Sequence, residues 1–176
     1  MILIKKLLLW FYAKFCIDII ACMPTILGDK LRWFYIKIFA KSLGKNFIAH
    51  NGCYFFYPKK LFIGNNVSFS ANSIINSSSD LIIKDNVMVG PNCHITTANH
   101  GFFRKDIPMN QQDSVTNKLT INEDVWIGNG VVINSGSREV EIAKGVIIAA
   151  NSVVTKSIGV PYSIWGGVPA KFIKNR

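Results

Sequence analysis

The stretch TTANHGFF sets one histidine, His100, where an apolar, β-branched run gives way to a polar segment bearing glycine. An imidazole titrates near neutrality, so a histidine held at such a break can take a proton from a reacting hydroxyl and return it to a leaving group. A solvated loop histidine is the plainer reading, and only its surroundings separate the two. His94 stands one six-residue step earlier, with His50 further upstream. Neither has an acidic neighbour that would complete a ligand set, so no metal is expected. The four cysteines, Cys16, Cys22, Cys53 and Cys93, form no CxxC pair, which suggests neither a zinc knuckle nor a disulfide scaffold. Reduced thiols and a cytoplasmic setting are expected, with Cys93 a small buried hydrophobe inside an apolar repeat.

The elements that must position His100 are written in a repeat. Ile63, Phe69 and Ile75 are six residues apart; so are Ile83, Val89 and Ile95, then Ile121, Ile127 and Ile133, then Ile142, Ile148 and Val154. A small or turn-prone residue follows most of them, as at Gly64, Asn76, Gly90, Gly128 and Asn134. A hexapeptide with one inward aliphatic and a tight turn makes one flat side of a triangular coil, and three sides return the chain to its start one strand spacing higher. Stacked coils share a continuous aliphatic core. A parallel sheet of βαβ units would need crossover helices, for which residues 60–160 leave no room. Interruptions of the six-step at SSSD (77–80) and SGSREVE predict short bulges at corners. The much longer gap between Ile95 and Ile121 predicts an extended loop over about 98–118, with His100 at its root.

At 176 residues and 49% apolar, the chain suits one compact domain. The formal charge of +10 is unevenly placed: residues 1–60 carry ten Lys/Arg against two acids, and residues 61–176 carry ten against eight. The opening MILIKKLLLWFYAKFCIDIIACMPTIL is interrupted by Lys14 and Asp18 and has no small-residue cleavage site, which argues against a membrane span or signal peptide. After it, Leu31, Phe34 or Tyr35, Ile38 and Leu43 fall near helical spacing among Lys30, Arg32, Lys37, Lys41 and Lys45, with Gly44 as a stop. Residues 1–46 therefore read as basic amphipathic helices. They either pack on the fold or a sister subunit, or lie through residues 1–45 on an anionic membrane surface, where basic and aromatic side chains act together. Nucleic acid is not expected, because no binding motif accompanies the charge.

INEDVWIGNGVVI (121–133), VIIAANSVVTKSI (146–158) and GGVPAKFIK (166–174) resemble the hexapeptide-repeat acyltransferases. The likeness covers residues 60–175 and is nearest to the members that O-acetylate saccharides of surface polysaccharides. It implies an all-β, left-handed parallel β-helix over 47–160, a C-terminal extension over 161–176, and an acetyl-CoA-dependent O-acetyltransferase that needs no metal. It further implies a homotrimer with each active site between two subunits and a saccharide or lipid-linked saccharide as acceptor. His100 matches the family's catalytic histidine, which would serve as general base. Asn72 in FSAN matches an acceptor-binding asparagine, although turn asparagines are common in such coils. Trp126 in VWIG matches a tryptophan beside the active site. Asn129, Ala150, Thr155 and Lys156 match positions along the CoA arm, and Lys156, Lys171 and Lys174 match basic residues near its phosphates. Asn151 replaces a customary glycine. An antibiotic or amino acid as acceptor, and a noncatalytic β-helix scaffold, are the competing readings.

Overall fold

A computed structural model describes residues 18–176. The part of the expected first helix that falls in residues 1–17 lies outside the described residues.

The repeat folds as a three-sided solenoid whose faces are parallel sheets. The first face stacks Ser42–Leu43, Leu61–Ile63, Leu81–Ile83, Leu119–Ile121 and Val140–Ile142. The second stacks Ile48–Ala49, Ser68–Phe69, Met88–Val89, Trp126–Ile127, Ile147–Ile148 and Ser163–Gly166, and ends with Lys171–Asn175 running antiparallel. The third stacks Tyr54–Phe56, Ile74–Asn76, His94–Thr96, Val132–Asn134 and Val153–Val154. All twelve aliphatic and aromatic residues of the six-step point inward and are buried. Each side also buries the residue two positions earlier, as at Leu61, Val67, Leu81, Val87, Leu119 and Val125, because side chains alternate along a strand. Each large aliphatic so buried stabilises the coil by about 1.5–3 kcal/mol.

Two corners turn through left-handed backbone, three residues after the inward aliphatic rather than directly after it. Asn66, Asn86 and Asp124 (φ 56°, 61° and 59°) make one, and Asn72, Asn92, Gly130 and Asn151 (φ 61°, 58°, 65° and 58°) the other. Asparagine tolerates this conformation, and its amide also ties one coil to the next: Asn46 Nδ2 donates to Asn66 Oδ1 and Asn66 Nδ2 to Asn86 Oδ1, each at 2.9 Å. Gly128, directly after Ile127, serves a different need. A Cβ there would lie 2.8 Å from the Ala150 nitrogen of the next coil, so that corner admits only close backbone approach. The third corner has no such regular turn and takes all three interruptions of the repeat, at 77–80, 97–118 and 135–139.

The ends depart from expectation. Helix α1 spans Thr25–Phe39, and the coil begins at Ser42, so Leu43 and Gly44 belong to the solenoid and not to a helix ending at 46. The buried side of α1 is Gly28, Arg32, Tyr35 and Ile36, whereas Phe34 and Ile38 face outward and Leu31 is half-buried. Arg32, read as one of the surface cations, is 1% exposed. Its Nε donates to the Ala49 carbonyl at 2.6 Å, its Nη1 to those of Ile20, Ala21 and Met23 at 2.7, 3.2 and 2.8 Å, and its Nη2 to Asp29 Oδ1 at 2.6 Å. The planar guanidinium thereby fills a ring of carbonyls that no aliphatic could satisfy. At the other end, Ser163–Gly166 pairs in parallel with Ile147–Ile148, so the solenoid runs past residue 160 into the C-terminal segment.

Candidate active site

His100 leaves the third corner on a two-stranded ribbon, Ala98–Asn99 paired antiparallel with Val115–Thr116. Asn99 fixes the root: its Oδ1 accepts from the His100 backbone N–H at 3.1 Å, and its Nδ2 donates to Ser137 Oγ of the next coil at 3.2 Å. Gly136 of that coil packs under the ribbon, where a Cβ would overlap the Ala98 carbonyl carbon and the Asn99 nitrogen. Gly101 is buried against the Asp113 carbonyl, which holds the outgoing and returning chains together. The imidazole itself is exposed. Beyond it, Phe102 and Phe103 stack with ring centroids 4.5 Å apart, and Gln112 Nε2 donates to the Arg104 and Ile107 carbonyls at 2.8 and 3.2 Å.

Along the same edge of the prism, two coils beyond His94–Thr96, lie Thr155 and Lys156, just after Val153–Val154. Two strand spacings correspond to a rise of about 10 Å. There Thr155, Lys156 and Lys171 line a cavity of about 340 Å³ with Trp165, Pro169 and Ala170. The C-terminal hairpin supplies the far wall, and Trp165 is set by its Nε1 donating to Ser163 Oγ at 2.9 Å and by edge contact with Phe172. Lys174 is exposed on the same hairpin and is not part of this lining.

The remaining expected residues lie elsewhere on the chain. Asn72, Asn129 and Ala150 mark the corner between the second and third faces, and Trp126, 49% exposed, stands on the second face between Met88 and Ile147. One copy of the chain thus presents its expected site residues on two edges. Asn72 is also a left-handed turn residue, so its backbone role is accounted for by the coil. Two thiols, Cys53 and Cys93, belong to the core: burial pushes Cys53 up to about 11 and raises Cys93, whose Sγ donates to the Gly128 carbonyl at 3.1 Å. Among the described residues no group of three His, Cys, Asp or Glu could hold a metal ion. Sequence reasoning missed Gly136 and Trp165. For Trp165 the signal was there, an indole beside the GGVPAK block; for Gly136 it was not, because its partners are 37 and 38 residues away in the chain.

Gly136→Ala is expected to push the ribbon root outward, leaving the solenoid folded but lowering turnover by about tenfold to a hundredfold, the effect of a misplaced catalytic group. Steady-state kinetics together with an unchanged circular dichroism spectrum is the check. Full activity would show that the ribbon root does not set the position of His100.

The chain is 32% identical over 139 residues to the galactoside O-acetyltransferase of Escherichia coli (strain K12), an alignment covering 79% of this chain and 66% of that one. It is 30% identical to the "Putative lipopolysaccharide biosynthesis O-acetyl transferase WbbJ" of the same organism, over 76% of this chain and 70% of the relative. The chain belongs to the hexapeptide-repeat acetyltransferases. Its solenoid is the family's left-handed parallel β-helix. It superposes on a galactoside acetyltransferase in complex with coenzyme A with a TM-score of 0.81 and 28% identity, over 94% of this chain and 79% of that one. No family model matches. The matched region spans 66%, 65% and 43% of the length of three curated relatives.

Proposed function

We propose that this chain transfers an acetyl group from acetyl-CoA to a hydroxyl of a saccharide used in surface polysaccharide or lipopolysaccharide assembly, with His100 as general base. The observation that carries the reading is the shared edge. The histidine at the ribbon root and the cavity bearing Thr155, Lys156 and Lys171 follow one another along the coil, in the direction a thin pantetheine arm would run. The residues present suit CoA: two lysines for phosphate, and a largely apolar wall including Trp165 and Pro169 for the arm. In the step itself the acceptor oxygen bonds to the thioester carbon while the His100 imidazole takes the hydroxyl proton. Collapse of the tetrahedral intermediate breaks the C–S bond, and the proton passes to the departing thiolate. Backbone N–H groups at a coil corner are the natural donors to the transient oxyanion.

Asn72, Trp126, Asn129 and Ala150 lie off this edge. This division of the expected site residues between two parts of one chain supports a homotrimer, in which a neighbouring copy would set its Asn72 and Asn129 edge against His100. Release of free thiol from acetyl-CoA, followed across a panel of sugars, nucleotide sugars and lipid-linked saccharides, tests the reaction and names the acceptor. Binding of acetyl-CoA without thiol release on any acceptor would leave a scaffold, and turnover only on an antibiotic or an amino acid would move the acceptor class. Lys156→Ala or Lys171→Ala is expected to raise KM for acetyl-CoA more than it changes kcat, because phosphate contacts are made equally in ground and transition states. A fall in kcat alone would remove these lysines from the phosphate site.

A further inference from the structure

Helix α1 closes the first end of the solenoid. Its inner side, Arg32, Tyr35 and Ile36, seals the core beneath the first coil. A solenoid cap ordinarily turns a polar outer face to water. This one does not: Ile26, Leu27, Trp33, Phe34 and Ile38 are exposed by 40% to 73%, and they recur at helical spacing on one stripe. Lys30 and Lys37 lie exposed on the same stripe, and Lys41 is exposed just past the end of the helix. The acid within α1, Asp29, turns inward to Arg32 and His50, which leaves Asp18 as the exposed acid among residues 18–41.

We propose that this outer face of α1 docks on an anionic lipid bilayer, with the aromatic and aliphatic side chains in the headgroup boundary and the three lysines on lipid phosphates. Aromatic and aliphatic bulk beside lysine on one helix face is the composition of an interfacial helix. The charge also decides against a two-fold contact with another copy of the stripe, since that would set these lysines against themselves. Among the described residues no helix is long and apolar enough to cross a membrane. The proposal does not rest on the acetyl-transfer reading.

The full-length protein is expected to sediment with vesicles of phosphatidylglycerol and phosphatidylcholine at low salt, and to stay in solution with phosphatidylcholine alone. Added salt should weaken the binding. K30Q/K37Q/K41Q, whose side chains carry no core, should lower the partition coefficient by about a hundredfold. W33S/F34S/I38S should also lose most binding, with thiol release on a soluble acceptor unchanged in both. Parent and lysine variant partitioning alike would overturn the proposal. So would a change in oligomeric size of W33S/F34S/I38S without lipid, measured by sedimentation velocity, accompanied by undiminished vesicle binding; the stripe would then be a contact between copies.

Discussion

His100→Ala is expected to lower acetyl transfer by about two to four orders of magnitude, the scale on which removal of a general base acts. The fold should not change, because the imidazole is exposed and stands outside the solenoid core. Affinity for CoA should hold as well, since the cavity lined by Thr155, Lys156 and Lys171 is two coils away. The measurement is single-turnover thiol release alongside a CoA titration by calorimetry. Loss of both turnover and CoA binding would mean that the ribbon had collapsed, and near-normal turnover would mean that a group other than His100 accepts the hydroxyl proton. His100→Asn, similar in size to the lost ring's first atoms but unable to titrate, should be as inactive as alanine.

The second large effect is on stability. Arg32→Met keeps the length of the side chain and removes its donors, so the carbonyls of Ile20, Met23 and Ala49 lose the guanidinium, Ala21 keeps only the Gly52 N–H, and Asp29 loses its cation. Removing one side of a buried charged network costs about 3–5 kcal/mol. Because each coil of a solenoid pairs only with its neighbours, the loss should be local. Amides of α1 and of the coil that begins at Ser42 should exchange much faster, while those of Leu119–Ile121 and Trp126–Ile127 keep their protection. Arg32→Lys should restore only part, since one ammonium cannot reproduce the fork of donors. Exchange in α1 at the parent's rate would show that apolar packing through Tyr35 and Ile36 alone holds the cap.

The solenoid was legible because its signal is repeated. Ile63, Phe69 and Ile75 say little alone, but four such triplets impose one period, and every member proved to face the core. Where a signal occurs once, reading it failed. Arg32 among the lysines looked like one more surface cation, and nothing in its neighbours announces that it fills a ring of carbonyls drawn from two separate stretches. The helical stripe was only partly placed: of Leu31, Phe34 or Tyr35, and Ile38, the core takes Tyr35, together with Arg32 and Ile36, a rotation that also carries the guanidinium to its ring of carbonyls. The corners were placed correctly but attributed to the wrong residue, since small side chains mark close approach between coils and the left-handed turn comes later. Of the site, His100 stood out by its place at a break in the repeat. Gly136 could not, because its role exists only once one coil lies over another.

The register across the long excursion bears on how such a protein can change. Leu81 pairs with Leu119, Ile82 with Thr120 and Ile83 with Ile121, as though the residues between 98 and 118 were not there. The ribbon closes on itself at Ala98–Asn99 and Val115–Thr116, so the scaffold meets only its two ends. Lengthening a closed loop costs little, about 0.6 kcal/mol for each doubling. The segment carrying Phe102, Phe103 and Met109 is therefore free to be exchanged, shortened or enlarged by descent or by grafting, while the coil beneath it is inherited intact. One frame can in this way carry many different loops above an unchanged ribbon root.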